Sequence, residues 1–255
     1  AVYPSCGIRT KAMKLCILTI SCGNPTYRAK VQAQRDTWRK DAEGIDIRVF
    51  LGRGSAKLND DEIILDCDDG YKGLPEKVRL AFAWALENGY EMALRIDDDV
   101  YVQPQRLLAG VPVGHDYSGR LRGPSGNWKA PYASGFAYWL SRKGMWHRVN
   151  SQQPNDTVED RVTANILAAA HIACHHDDRF VVHKSKRNAV SGDEGPRRGN
   201  TIICSCEYEP DEMHEIHEEW LSSMSTGTVP KMPEGTPFDA ICVIVKTLMR
   251  DGMLY

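Results

Sequence analysis

Short apolar runs and helical stripes alternate along the first hundred residues. Residues 14–21, KLCILTIS, are an apolar run that ends in Cys-Gly-Asn-Pro, which predicts a buried strand closed by a turn. Residues 28–40 have helical composition. Residues 45–52, IDIRVFLG, predict a second strand closed by Gly-Arg-Gly-Ser, and residues 62–66, EIILD, a third. In LPEKVRLAFAWALENGY, Val78, Ala81, Phe82, Ala85 and Leu86 recur at helical spacing. Pro75 suits the first turn of that helix, and Asn88-Gly89 stops it. Residues 92–96, MALRI, predict a fourth strand, and three aspartates follow it directly.

The second half is more mixed. Residues 117–123 and 134–141 predict strands, and 142–149 a short helix. A helix is predicted at 160–172, led by acids that complement its dipole. Further strands are predicted at 179–183 and 201–208, with a Gly- and charge-rich loop at 185–200 between them. Pro210 opens a helix over 210–224, and an apolar stretch at 238–249 comes last. No internal repeat or linker is visible, so one domain is expected. The βαββαβ order of the first half predicts an α/β fold, an open sheet with helices on both faces. Ligands of such sheets bind outside the carboxyl ends of the strands, which is where the aspartates fall.

Composition narrows the function classes. The chain has 255 residues, 42% hydrophobic and 26% charged, which suits an ordinary globular core. A net charge of −2 argues against attachment to nucleic acid or membranes by bulk charge. No run approaches the ~18–20 apolar residues needed to span a bilayer. No signal peptide is visible in AVYPSCGIRTKAMK. The eight cysteines form no CxxC pair, and several lie in apolar runs, as reduced thiols do. A cytoplasmic setting is therefore expected for the chain as given, with a lumenal catalytic fragment as the alternative. Asn155-Asp156-Thr157 is a formal glycosylation sequon that matters only in the second case.

The stretch RIDDDVYV carries the main chemical signal. Like charges this close repel, and a bound cation would relieve them. In an extended backbone, residues i and i+2 point the same way, so Asp97 and Asp99 can face one ligand while Asp98 faces elsewhere. Carboxylates are hard oxygen donors suited to Mg2+ or Mn2+. The competing reading is a solvated acidic turn.

IDDDVYV resembles the DDD-V-F/Y-V signature of the β1,3-glycosyltransferase (galactosyltransferase/Fringe-like) family, whose fold is GT-A. Four more segments are similar to family elements and occur in the same order. QRDTWRK (34–40) resembles R-x-TW, and DDGYKGLPEK (68–77) resembles D-S-Y-x-N-L-T-x-K. PYASGFAYWLS (131–141) is similar to YPxYxxGxGYxLS, and VEDRVTANI (158–166) to EDVxxG. The resemblance spans about residues 14–220. It implies one GT-A domain over 1–255: a nucleotide-sugar-binding half at 14–110, an acceptor and catalytic half at 111–225, and a C-terminal extension at 226–255.

By the same resemblance, the activity is a metal-dependent, inverting transfer of a sugar from a UDP-sugar to an acceptor hydroxyl, with Mn2+ (or Mg2+) as cofactor. Asp160 is implied as the base that takes the acceptor proton, with Glu159 in reserve; the bland alternative is two acids complementing a helix start. Asp99 is implied as the principal metal ligand, and Asp97 and Asp98 as contacts to ribose or to metal-bound water. Arg35 resembles the family's arginine near the nucleotide; its alternative is an ion pair with Asp36 or Glu43. Asp69 and Lys77 match donor-side positions. Gly135 would let a backbone approach the substrate. Tyr132 and Trp139 are candidates for stacking on sugars or for the core, and Trp38 for the core.

The family's last metal ligand is a His four residues before a Pro. In IICSCEYEP, Cys206 stands there, a softer donor than imidazole. Cys206 ligates Mn2+, a nearby His replaces it, or that position is empty. His214 and His217 form an HxxH pair best read as surface histidines. Arg179, Lys184, Lys186, Arg187, Arg197 and Arg198 cluster within twenty positions. They suit a solvated loop, a lid over diphosphate, or a groove for a polyanion. A glycan or glycoconjugate acceptor leads, and a hydroxylated base in DNA is the alternative. A non-catalytic nucleotide-sugar-binding module and a two-metal phosphoesterase are the other classes.

Overall fold

A computed structural model describes residues 13–123, 131–154, 156–182, 203–205 and 208–225. In chain order the elements are β1 (Leu15–Ile20), α1 (Pro25–Asp36), β2 (Asp46–Leu51), β3 (Glu62–Ile64), α2 (Leu74–Glu87), β4 (Met92–Asp97), β5 (Val100–Val102) and α3 (Pro104–Ala109). Then come β6 (Tyr117–Arg122), β7 (Tyr132–Ser141), α4 (Arg142–Asn150), α5 (Glu159–Ala169), β8 (His175–His176), β9 (Phe180–Val182), β10 (Ile203–Ser205) and α6 (Pro210–Ser225).

Among the described residues, seven strands form one mixed sheet in the order β3-β2-β1-β4-β7-β6-β8. β1 is parallel to both β2 and β4, whereas β7 runs antiparallel to β4 and β6. Every residue of β1 is buried, because helices cover both sheet faces. Leu15 and Ile17 point into one core with Trp38, Leu107, Phe180 and Met213. Cys16, Leu18 and Ile20 point into the other with Val78, Phe82, Met145 and Leu167. Period-two alternation in one strand thus feeds two cores. The predicted α/β sheet with helices on both faces is what forms. The two halves expected at 14–110 and 111–225 share this sheet through β4 and β7.

Local differences from the sequence expectations have physical causes. α1 begins at Pro25, not at residue 28, because the Asn24 side chain accepts from the Thr26 N–H at 3.0 Å and Pro25 occupies the first turn. It ends at Asp36, and a 3-10 turn over Trp38–Asp41 carries the buried Trp38 back to the core. The short β5, α3 and β8 were not expected. β5 leaves the main sheet directly after the aspartates and joins a second one, β5-β10-β9. The apolar stretch at 238–249 lies outside the described residues.

Candidate active site at the carboxyl end of the central strands

The acidic turn grows out of the order of the strands. β4 is central and buried, and its register sets Ile20 of β1 beside Asp97. The chain must then switch sheets into β5, and the turn between them is Asp98–Asp99. Its side chains differ in burial. Asp98 is 5% exposed and accepts a hydrogen bond from Ser21 Oγ at 2.6 Å. Asp97 and Asp99 are only partly buried. The structure therefore turns Asp98 away from the ribose or metal-water contact expected of it.

Burial dominates the titration of the turn, and neighbouring charges modify it. Burial, opposed by the Ser21 hydrogen bond and reinforced by Asp99, pushes the Asp98 carboxyl up to about 7. Enclosure pushes Asp97 well above its ordinary range, Arg95 opposes, and Asp99 and Asp98 add to the push. Below the turn, the Arg95 guanidinium pairs with Asp97 at 2.7 Å. Beside it, one nitrogen of Gln34 donates to the carbonyls of Asp97, Asp98 and Val100 at 3.0–3.1 Å. Neither residue was singled out from the sequence. An arginine placed in an apolar strand just before three acids was the available signal for Arg95. Nothing local marks Gln34.

The ED pair divides in the same way. Glu159 is 3% exposed, and its Oε1 accepts from Tyr138 OH and Thr163 Oγ1, both at 2.7 Å. Arg95 and Arg148 approach it at 3.7 and 3.9 Å. Buried Arg148 also donates to Thr163 Oγ1 and to the Pro75 carbonyl, each at 2.7 Å, and so ties α2, α4 and α5 together. Glu159 is thus a packed structural acid, and the reserve assignment to it as base does not suit its setting. Asp160 is half-buried at the start of α5 and accepts from the Arg161 N–H at 2.8 Å. Burial, then the neighbouring Glu159 charge, raises its pKa.

Gly135 has a role different from the one expected. A Cβ there would lie 3.3 Å from Asp160 Oδ2, so the missing side chain makes room for the acid. Gly135 is two residues before Ala137, which pairs with Ile96. That register carries the Gly135–Asp160 contact alongside the acidic turn.

Asp69 and Lys77 also come together, as a clasp. Asp69 accepts from the N–H groups of Gly23 and Gly52 at 2.6 and 2.5 Å and from Ser55 Oγ at 2.8 Å. Lys77, 2% exposed, donates to Asp69 Oδ1 and to the Ser21 carbonyl, both at 2.7 Å. One carboxylate thereby fixes the loops after β1 and β2 and the start of α2. Despite the cost of burial, these bonds hold Asp69 down at about 2. Both residues build the rim of the site, so the expected direct donor contact does not suit buried Lys77.

Arg35 pairs with neither Asp36 nor Glu43. It reaches Asp61 at 2.9 Å, just before the edge strand β3, and Glu62 at 2.8 Å, its first residue. Trp139 is fully buried in the core, which removes it as a sugar platform, and Tyr132 is half-buried. His214 is exposed, but His217 packs on Tyr101 with its Nδ1 3.0 Å from the phenol oxygen. The pair therefore does not act as two surface histidines. Arg179 is tied to Asp177 at 2.7 Å and to the Gly110 carbonyl at 3.1 Å. Cys206, Asn155, Lys184, Lys186, Arg187, Arg197 and Arg198 lie outside the described residues. Ser205, just before Cys206 in sequence, pairs with Val100, just after Asp99.

The donor set fits a hard divalent ion. Asp97 and Asp99 are two oxygen donors close enough for each charge to act on the other. Mg2+-type sites take one or two carboxylates and leave positions for water and substrate phosphates. Among the described residues, no three His, Cys, Asp or Glu side chains converge to hold an ion by themselves.

Comparison with known proteins agrees with the motifs. Residues 35–116 match the Galactosyltransferase family model. No curated protein sequence matches the chain. A glycosyltransferase involved in glycosylation of the major capsid of PBCV-1 aligns with TM-score 0.50 and 14% identity, covering 80% of this chain and 99% of that one. The galactosyltransferase LgtC, in complex with donor and acceptor sugar analogs, aligns with TM-score 0.48 and 12% identity, covering 86% and 97%. The catalytic domain of Drosophila beta1,4galactosyltransferase 7, in complex with xylobiose, gives TM-score 0.40 and 11% identity over 65% and 66%. The fold is of the GT-A type, and the matched segment contains α2, β4 and the acidic turn. None of the described helices is long and apolar enough to cross a membrane.

Proposed function

We propose that this chain is an inverting glycosyltransferase that moves a sugar from a UDP-sugar to a hydroxyl on a glycan or glycoconjugate, with Mn2+ or Mg2+ at the acidic turn. One observation carries the reading. The half-buried acid Asp160 packs on Gly135, two residues from the β7 residue that pairs with Ile96 of β4, and the Arg95 charge that pairs with Asp97 also acts on Asp160. A base and an electrophile-stabilising site on one ledge are what a displacement at an anomeric carbon needs.

Asp160 takes the proton of the acceptor hydroxyl as its oxygen bonds to the anomeric carbon. The bond from that carbon to the diphosphate oxygen breaks, and its electron pair leaves with the nucleoside diphosphate. Attack opposite the leaving group inverts the centre. Asp99 and Asp97 would hold the ion, which when bound supplies positive charge for the departing diphosphate. Gln34 and the Asp69–Lys77 clasp keep the ledge rigid, and Glu159 anchors the start of α5 from beneath. The GT-A fold and the Galactosyltransferase match support the transfer class. The acceptor class and the UDP nucleotide rest on the motif resemblance.

A screen of UDP-sugars by thermal shift with Mn2+, followed by turnover of the hit, tests the reading. Metal-dependent donor turnover that is lost in both Asp99→Asn and Asp160→Asn is the expected result. Donor turnover that ignores both substitutions would remove the assignment.

A further inference from the structure

The charge that balances the acidic turn from inside the protein is Arg95. It is 1% exposed, yet its guanidinium is incompletely satisfied. Nη2 pairs with Asp97 at 2.7 Å, whereas Nε lies 3.7 Å from Glu159 Oε2. Nε and Nη1 are buried without a hydrogen-bond partner, and so is Glu159 Oε2. The guanidinium carbon sits 5.8 Å from the centre of the Tyr138 ring, whose hydroxyl holds the other Glu159 oxygen. One cation is therefore shared unequally between two carboxylates, one at the rim and one in the interior. Buried polar groups normally find partners, so a guanidinium with two idle nitrogens is poised for a second arrangement.

We propose that Arg95 is an internal counter-ion that occupies Asp97 when no divalent cation is bound, and that it sets how tightly the acidic turn takes that cation, with Glu159 as the competing partner. This rests on the proposed divalent site at the turn. The physical argument is competition. A divalent ion at Asp97 and Asp99 and the Arg95 guanidinium claim the same carboxylate, and like charges this close repel strongly inside protein. Glu159 offers the displaced guanidinium a compensating charge only 3.7 Å away. Arg95 is thus a positioning residue that keeps the cation exchangeable.

The test is Mn2+ binding to the full chain, read from the electron-paramagnetic-resonance signal of free Mn2+, with circular dichroism to check folding. Asp99→Ala identifies binding at the turn by abolishing it. Arg95→Met removes the competitor and is expected to tighten Asp99-dependent binding, by about tenfold from the charge term. Glu159→Gln leaves Arg95 wholly to Asp97 and is expected to weaken binding severalfold. Arg95→Lys keeps the charge and is expected to stay within about twofold of wild type. Damage to the fold would weaken binding in both Arg95→Met and Glu159→Gln, so the opposite signs separate the two explanations. Asp99-dependent binding that is unchanged or weaker in Arg95→Met overturns the inference alone. If Arg95→Met does not fold, Glu159→Gln decides, and unchanged or tighter binding overturns it. No Asp99-dependent Mn2+ binding in the wild type removes the metal reading itself and this inference with it.

Discussion

The side-chain amide of Gln34 lies 3.0 Å from the carbonyl oxygen of Asp98, and the same nitrogen bonds the carbonyls of Asp97 and Val100. A helix residue thus supplies the donor that a strand-to-strand turn lacks. Replacing it with leucine strands those carbonyls away from water, at a cost of roughly 1–3 kcal/mol. Gln34→Glu is expected to be worse, because an ionised carboxylate would face three carbonyl oxygens. Urea denaturation measures both. A Gln34→Leu variant as stable as wild type would mean the turn holds its shape without the amide.

Two depressed carboxyls set the acid limit of the fold. Glu62 accepts from the N–H of Leu58 and from Asn59, Arg35 and Arg28, and these partners overcome burial to hold it at about 2. Asp69 is held at about 2 by the Gly23, Lys77, Gly52 and Ser55 donors, again against burial. Their ordinary values are 4.5 and 3.8. A group whose folded pKa is depressed contributes its stability above the unfolded value and loses it as pH falls through the folded one. Each contribution, on the order of 2 kcal/mol, is therefore full above about pH 5 and gone near pH 2. Denaturant midpoints recorded from pH 6 to pH 2 should show this loss, and Asp69→Asn should flatten part of the slope. A slope that Asp69→Asn does not change would count against the clasp.

Gly135→Ala separates shape from stability. The new Cβ meets Asp160 Oδ2 at 3.3 Å and Cβ at 3.4 Å, so the acid must shift by a few tenths of an ångström. Displacements of this kind in a reacting group lower the rate much more than they lower the melting point. Turnover is expected to fall roughly ten- to a hundredfold with donor affinity kept and the melting temperature within a few degrees. Full activity in Gly135→Ala would show that Asp160 can move freely.

Much of this was legible in the sequence, and the rest was hidden for definable reasons. The apolar run at 14–21 and the stripe from Val78 to Leu86 exposed the strand and the helix because burial on one or two faces writes a period into the chain. The position of the aspartates at a strand end followed from the same pattern. The partners of each acid did not. Asp98 meets Ser21 across 77 positions, and Arg35 finds Asp61 and Glu62 instead of the acids nearest in sequence. Trp139 lies in the core because β7 is an inner strand of the sheet, a fact of strand order that periodicity does not reveal. Aligned motifs located Asp69, Lys77 and Glu159, but only packing shows that they support the site from within.

Asp160 is the residue on which the proposed chemistry turns, and its surroundings give the prediction a pH signature. Burial and the adjacent Glu159 raise its pKa, while the Arg161 N–H and the Arg95 charge oppose them. A base must be ionised to accept a proton, so activity is lost as pH falls through this raised value. The acidic limb of kcat/KM is therefore expected above pH 3.8, the ordinary value for aspartate. Asp160→Asn keeps the size of the side chain and its contact with Gly135 but cannot take the proton. Its turnover is expected to fall by roughly 10²–10⁴, with UDP-sugar affinity kept, because the donor's proposed anchors at Asp97 and Asp99 are untouched. Asp99→Asn should instead weaken donor binding and metal dependence together. Glu159→Gln makes the pKa assignment specific: with the neighbouring charge gone, Asp160 ionises more readily and the acidic limb moves to lower pH. Initial rates over a pH series for wild type and Glu159→Gln measure that shift. A limb that stays in place would mean that another group is the base.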